Sequence, residues 1–326
     1  WFEDHSPVDS RFRKPVVKGV SANVICAAML GGDEYPSTAI GINLPNADWI
    51  RAQHGSKSVT IGNLTEAYNK AAKGNGFLDE FAIDQPTIEM IRKYGDVCDD
   101  LHTDLHECLG HGSGQLLPGV SPDALKSYGS TIEEARADLF GLYYIADNKL
   151  IELQLLPDAE AYKSQYYSYI MNGLLTQIVR IAPGNKIEEA HMRNRALIAH
   201  WCLDNGNAIS LVRRDGKTYV QVNDYEELRQ QFATLLAEIQ RIKSEGDYEA
   251  ARKMVETYGV NINPDLHTEI LGRYKRLNIA PYKGFLNPRM IPVFNVQGDV
   301  TDITLDYSES YDEQMLRYSR QYGTLI

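Results

Sequence analysis

The sequence predicts a mostly α-helical α+β chain, and three features carry that expectation. The first 65 residues hold β-rich runs, Val16-Val17, Val24 to Leu30 and Thr38 to Leu44, broken by turn formers at Gly31 to Pro36 and at Pro45-Asn46. From residue 86 to residue 275 the apolar residues recur at helical spacing. After Ala280 the text returns to strands, Met290 to Val296 and Ile303 to Tyr307, around Gly298-Asp299. Strands, a long helical block and strands again describe a helical lobe flanked by β-rich segments.

Within this frame each element has a local signal. Leu64 to Tyr68 opens a helix that should stop at the glycine-rich Lys73 to Gly76. Thr87, after Pro86, starts a second helix, and Asp99 to His111 reads as a separate third. Ser130 with Glu133 three residues later spells a capping box before Ala135 to Leu150. Helices follow over Pro157 to Leu175, Ile187 to Asp204, Asp224 to Ser244 and Asp247 to Tyr258. Asp215-Gly216 between two alternating apolar runs predicts a β-hairpin over residues 208 to 222.

Composition excludes several classes of function. Hydrophobic residues make up 43% and charged residues 24%, as in ordinary globular domains. A net charge of −11 with dispersed Lys and Arg argues against a nucleic-acid partner. No apolar run approaches the roughly 18 residues a membrane helix needs, so no membrane partner is expected. Cys26, Cys98, Cys108 and Cys202 have no paired spacing, which favours reduced thiols over a disulfide framework.

The chemistry concentrates in Leu105-His106-Glu107-Cys108-Leu109-Gly110-His111. A zinc-peptidase helix carries two His at i and i+4, with a Glu between them as general base. Here the spacing is i and i+5, which on a regular helix turns the second imidazole about 140° away from the first. A one-residue π-bulge would restore a common face, and Gly110 supplies backbone tolerance for it. His102 and His106 form an i, i+4 pair that competes as a ligand pair, but no Glu follows His102 directly. A catalytic site needs a third ligand and an open position. Glu133-Glu134-Ala135-Arg136-Ala137-Asp138 supplies candidates, with Glu134 and Asp138 on one helix face. One can bind a metal while the other accepts an N–H from a ligand His.

Together these segments resemble the dipeptidyl peptidase III family of zinc aminodipeptidases, whose paired signature is HExxGH followed by EExRA[E/D]. The resemblance implies one Zn2+ per chain on His106, His111 and Glu134, with Glu107 as the base that activates water. Glu133 and Asp138 then look like the carboxylates that hold the ligand imidazoles. Cys108 stands where many members carry leucine. Gly41 to Asn46 resembles the family's cleft-lining strand, with Asn43 and Asn46 matching residues that hold the peptide's N-terminal end. His191 and Arg195 resemble a pair facing the zinc; His191 would stabilise the oxyanion and Arg195 would contact substrate.

The same resemblance implies a division into residues 27–75 as a β-rich cleft-lining part of a second lobe, residues 76–279 with 1–26 as the helical zinc lobe, and residues 280–326 as strands of the second lobe. It makes the chain the C-terminal half of a monomeric, cytoplasmic zinc exopeptidase that releases dipeptides from short peptides, with reduced or no activity as a fragment. A non-catalytic zinc-containing peptide-binding domain and an ordinary zincin endopeptidase are the competing readings; Glu107 argues against the first and the i, i+5 spacing against the second.

Overall fold

A computed structural model describes residues 1–17, 21–27, 41–44, 50, 53–55, 57–279 and 287–323. Its fold is the mostly helical α+β arrangement expected. The strands are β1 (Ser21–Ile25), β2 (Gly41–Leu44), β3 (Lys57–Ile61), β4 (Ile209–Arg214), β5 (Lys217–Val222), β6 (Arg289–Phe294) and β7 (Val300–Asp306). The helices are α1 (Gly62–Ala72), α2 (Phe77–Phe81), α3 (Gln85–Leu105), α4 (Gly129–Ile145), α5 (Asn148–Glu152), α6 (Tyr162–Leu174), α7 (Ala190–Asp204), α8 (Tyr225–Glu245), α9 (Tyr248–Tyr258), α10 (Pro264–Leu277) and α11 (Tyr311–Tyr322). Among the described residues no helix is long and apolar enough to cross a membrane.

Helix starts follow local chemistry. Asp84 accepts from Thr87 N and Pro86 sits in the first turn of α3, where its missing N–H costs nothing. Asp224, Asp247 and Asn263 cap α8, α9 and α10 through their side chains in the same way. The β4–β5 hairpin turns on Asp215 (φ 50°) and Gly216 (φ 77°), both left-handed as a two-residue primed turn requires. β2 pairs antiparallel with β3, Gly41 opposite Thr60 and Leu44 opposite Lys57, in a sheet of order β1-β3-β2.

Three sequence expectations change. Residues 85–105 form one continuous helix, α3, that runs straight into the His106 segment; nothing separates the two helices expected there. The Ser130 capping box does not form: α4 starts at Gly129, Ser130 lies inside it, and Glu133 is committed elsewhere. The tail also contains α11, opened by a Ser310–Glu313 capping box that the strand reading of the tail passed over. Thr38 to Ile40 and Ala28 to Leu30 lie outside the described residues.

Chain contacts divide into two compact units. The larger comprises Trp1–Asn23, Gly41–Thr60 and Lys73–Ile279. Its core is continuous, running through Phe81, Cys98, Leu139, Phe140, Tyr166, Ile198, Phe232 and Leu236, all fully or almost fully buried. α4 is buried on most of its surface and is the central element of this core, packed against α3, α7 and α8. The smaller unit, Val24–Ile40, Ile61–Ala72 and Ala280–Ile326, has a small core at Ile61 and Leu64. Its β6–β7 hairpin pairs Arg289 with Asp306 and is exposed on both faces.

Candidate metal centre

The α3 backbone changes pitch at the paired histidines. His106–Gly110 is a π-helical turn, closed by a hydrogen bond from His111 N to His106 O at 3.0 Å. The five-residue step takes up the extra residue between the two histidines and turns both imidazoles the same way. Their ring centroids lie 4.8 Å apart, edge to face. Gly110 serves this turn differently from the sequence reading. Its φ is not in the left-handed region, and the constraint is space. A Cβ there would lie 2.5 Å from Ala137 Cα and 2.6 Å from Ala137 Cβ on α4. The glycine lets the π-turn press against the helix that carries the acidic residues.

α4 answers with three carboxylates. Asp138 Oδ1 lies 2.6 Å from His106 Nδ1 and 3.2 Å from His102 Nε2. Its other oxygen accepts from Tyr169 Oη at 2.6 Å and Asn194 Nδ2 at 2.9 Å. Glu133 Oε1 lies 2.8 Å from His111 Nδ1, and Arg136 donates to both its oxygens, at 2.7 and 3.0 Å. Both rings therefore give their Nδ1 side to a carboxylate and aim Nε2 at Glu134. Glu134 Oε2 is 3.3 Å from His106 Nε2 and 3.9 Å from His111 Nε2. His102, the competing ligand, is occupied with Asp138 instead.

His106, His111 and Glu134 each offer one atom, and these atoms lie within 4.8 Å of one another. Glu134 Oε2 is buried and receives no well-directed hydrogen bond from the described residues. Ligands at about 2.0–2.2 Å from a tetrahedral zinc sit about 3.3–3.6 Å apart, a separation that the His106–Glu134 pair already has. An imidazole lone pair facing a carboxylate oxygen in a buried place repels unless a cation lies between them. The donor set fits a small divalent metal.

Charge balance supports that fit. Burial alone would raise all three carboxyls. Arg136, Lys243 and His111 outweigh it at Glu133 and hold it well below the usual range; His106 and His102 do the same at Asp138. Glu134 is lowered by His106, His111 and His191 against the same burial. Burial works against a charged His106, but Asp138 and Glu134 prevail and push its imidazole up to about 10. Without a metal, a proton fills the role of the cation.

The remaining sequence candidates divide. Glu107 is buried in the π-turn with its carboxylate against β2: a Cβ on Gly41 would stand 3.0 Å from Glu107 Oε1, so glycine keeps this approach open. His191, in the first turn of α7, is half exposed, with Nε2 3.4 Å from Glu134 Oε2. Glu189 caps α7 and also holds His191 Nδ1 at 2.6 Å. Arg195 is half-buried one turn on; its charge acts on Asp99 and Tyr169, and it is not in the metal cluster. Asn43 pairs with Ser58 through the β2–β3 ladder, and Asn46 lies outside the described residues. Sequence reasoning missed Tyr169, Asn194, Glu189 and Lys243. Each acts through a fold contact, and only Glu189, two residues before His191, had a local signal.

The profile of peptidase family M49 matches residues 34–125 and 121–270. Dipeptidyl peptidase 3 of Mus musculus is 26% identical over 261 residues, covering 67% of this chain and 35% of that protein. The structure of DPP III from Caldithrix abyssi superposes with a TM-score of 0.67 at 25% identity, over 85% of this chain and 51% of that one. Dipeptidyl-peptidase III from Corallococcus sp. strain EGB gives a TM-score of 0.68 at 23% identity, covering 85% and 49%. The chain thus spans about a third of the length of the curated relatives it matches.

Two outcomes are expected. Gly110→Ala should cost about 1–3 kcal/mol through overpacking against Ala137, and should weaken metal binding by roughly tenfold or more as the π-turn lifts from α4; unchanged affinity in a metal titration contradicts this. The raised His106 means the metal-free folded state binds a proton that the unfolded state lacks, from about pH 6.5 to about 10. Metal-free stability should therefore fall as pH rises through that window. Loading a metal at pH 7 should release roughly one proton or more per ion, measurable by calorimetry in buffers of different ionisation enthalpy; no release contradicts it.

With the family profile running across most of its length and the helical fold shared with the solved relatives, this chain belongs to peptidase family M49.

Proposed function

We propose that the chain carries the zinc centre of a metallopeptidase that releases dipeptides from the N-terminus of short peptides. The observation that supports this most is the convergence of His106, His111 and Glu134, each imidazole backed by its own carboxylate, beside a buried Glu107 that is not part of the ligand set. A purely structural zinc site has no need of such a base. Dipeptide release is taken from the names of the relatives and from the sequence resemblance.

In this reading His106, His111 and Glu134 hold the ion. Bound zinc supplies a Lewis acid that lowers the pKa of a water and polarises the scissile carbonyl. Glu107 takes the proton from the attacking water and returns it to the departing amine. Asp138 and Glu133 keep each imidazole Nδ1 protonated, so Nε2 stays available as a ligand atom. His191, held through Nδ1 by Glu189, is the side chain assigned to stabilise the developing oxyanion. Gly41 to Leu44 presents a strand edge on which an extended peptide could add, with Asn43, Asn46 and Arg195 as substrate contacts. Four free thiols suit a cytoplasmic setting.

Glu107→Gln is the direct test. It should retain one zinc per chain and lower dipeptidyl-arylamide turnover of the active protein by about 10²-fold or more. Retained turnover defeats the role of Glu107; internal cuts in a short peptide would instead favour an endopeptidase.

A further inference from the structure

The surroundings of Glu133 hold more positive charge than its own neutralisation requires. His111 and a bidentate Arg136 already engage both its oxygens. Lys243, from the last turn of α8, donates to Oε2 as well. A third cation stands close by: Lys14 Nζ donates to Gly112 O, one residue past His111. Arg136 continues to Ser113 O at 3.2 Å and Ser113 Oγ at 3.0 Å, and the buried Glu3 accepts from Gly114 N at 3.0 Å.

Three cations thus crowd two carboxylates, and Arg136 is only 1% exposed. Burial, with the charges of Arg136 and Lys243, pushes the Lys14 amine down to about 8. Crowding of like charges costs stability, and an Arg136–Glu133 pair alone would have been complete. The contacts added by Lys243 and Lys14 fall on the two supports of His111: the carboxylate at its Nδ1 and the backbone that follows it.

We propose that Lys243 is a positioning residue for the metal ligand His111, acting through Glu133, while Lys14 holds the chain just beyond that ligand. The inference rests on the zinc reading above. By anchoring Oε2 to α8, Lys243 keeps Oε1 on His111 Nδ1 and so keeps Nε2 turned towards Glu134. Without it only the Arg136 fork, on the same helix, fixes the carboxylate, the ring loosens, and the ion leaves faster.

The test is zinc release from this chain to a chelator, for wild type, Lys243→Met, Lys243→Gln, Lys243→Arg, Glu133→Gln and the Lys243→Met/Glu133→Gln double variant. Removing the ammonium by either neutral substitution should speed release roughly tenfold, and Lys243→Arg should restore it to within about threefold. The double variant should release no faster than Glu133→Gln, because both act on one contact. Release at the wild-type rate in Lys243→Met and Lys243→Gln overturns the proposal. So do fully additive effects in the double variant, or a lowered metal-free unfolding temperature with unchanged release. If wild type holds no zinc, the metallopeptidase reading falls and takes this inference with it; zinc-loaded wild type with unaffected variants sinks the inference alone.

Discussion

The hydrogen bond from His111 N to His106 O reaches back five residues instead of four, and the site depends on it. In a regular helix His111 would face about 140° away from His106 and no ion could bridge them. The longer step is held because Gly110 lets the π-turn lie on Ala137 of α4, where any side chain would collide with backbone. The same contact sets the turn beside the helix that carries Glu133, Glu134 and Asp138. One close approach therefore decides both the spacing of the imidazoles and their distance from Glu134.

Around that approach the protein has buried charges in matched sets. Asp138 receives two imidazoles, a phenol and an amide; Glu133 receives an imidazole and two cations. Neither carboxylate would stay ionised in so buried a place without these partners. The two histidines differ in consequence. His106 leans on an acid whose other partners are His102, Tyr169 and Asn194, whereas the acid behind His111 is countered by Arg136 and Lys243. Glu134 Oε2 is the atom of this set that receives no well-directed hydrogen bond from the described residues.

Much of this was legible in the order of residues, because its determinants are local. The i, i+5 spacing with an intervening Glu, the Glu134/Asp138 face and the Asp215-Gly216 turn each lie within a few residues. What sequence alone misread was set by packing. The Ser130–Glu133 capping box failed because Glu133 gains more from His111 and Arg136 than from a helix end that could start at Gly129 without it. No break separates the expected second and third helices: residues 85–105 form one helix, with Gly95 inside it. Tyr169, Asn194 and Lys243 come from helices distant in sequence, so no spacing rule could have named them.

The central claim is that the lengthened turn places His106 and His111 on one ion with Glu134. X-ray absorption at the zinc edge of the metal-loaded chain tests it most directly. The account predicts two imidazole nitrogens and carboxylate or water oxygens at about 2.0–2.2 Å, with the imidazole signal halved in His111→Ala. A sulfur scatterer at about 2.3 Å, which would place Cys108 on the ion, or an imidazole count unchanged by His111→Ala, would contradict it.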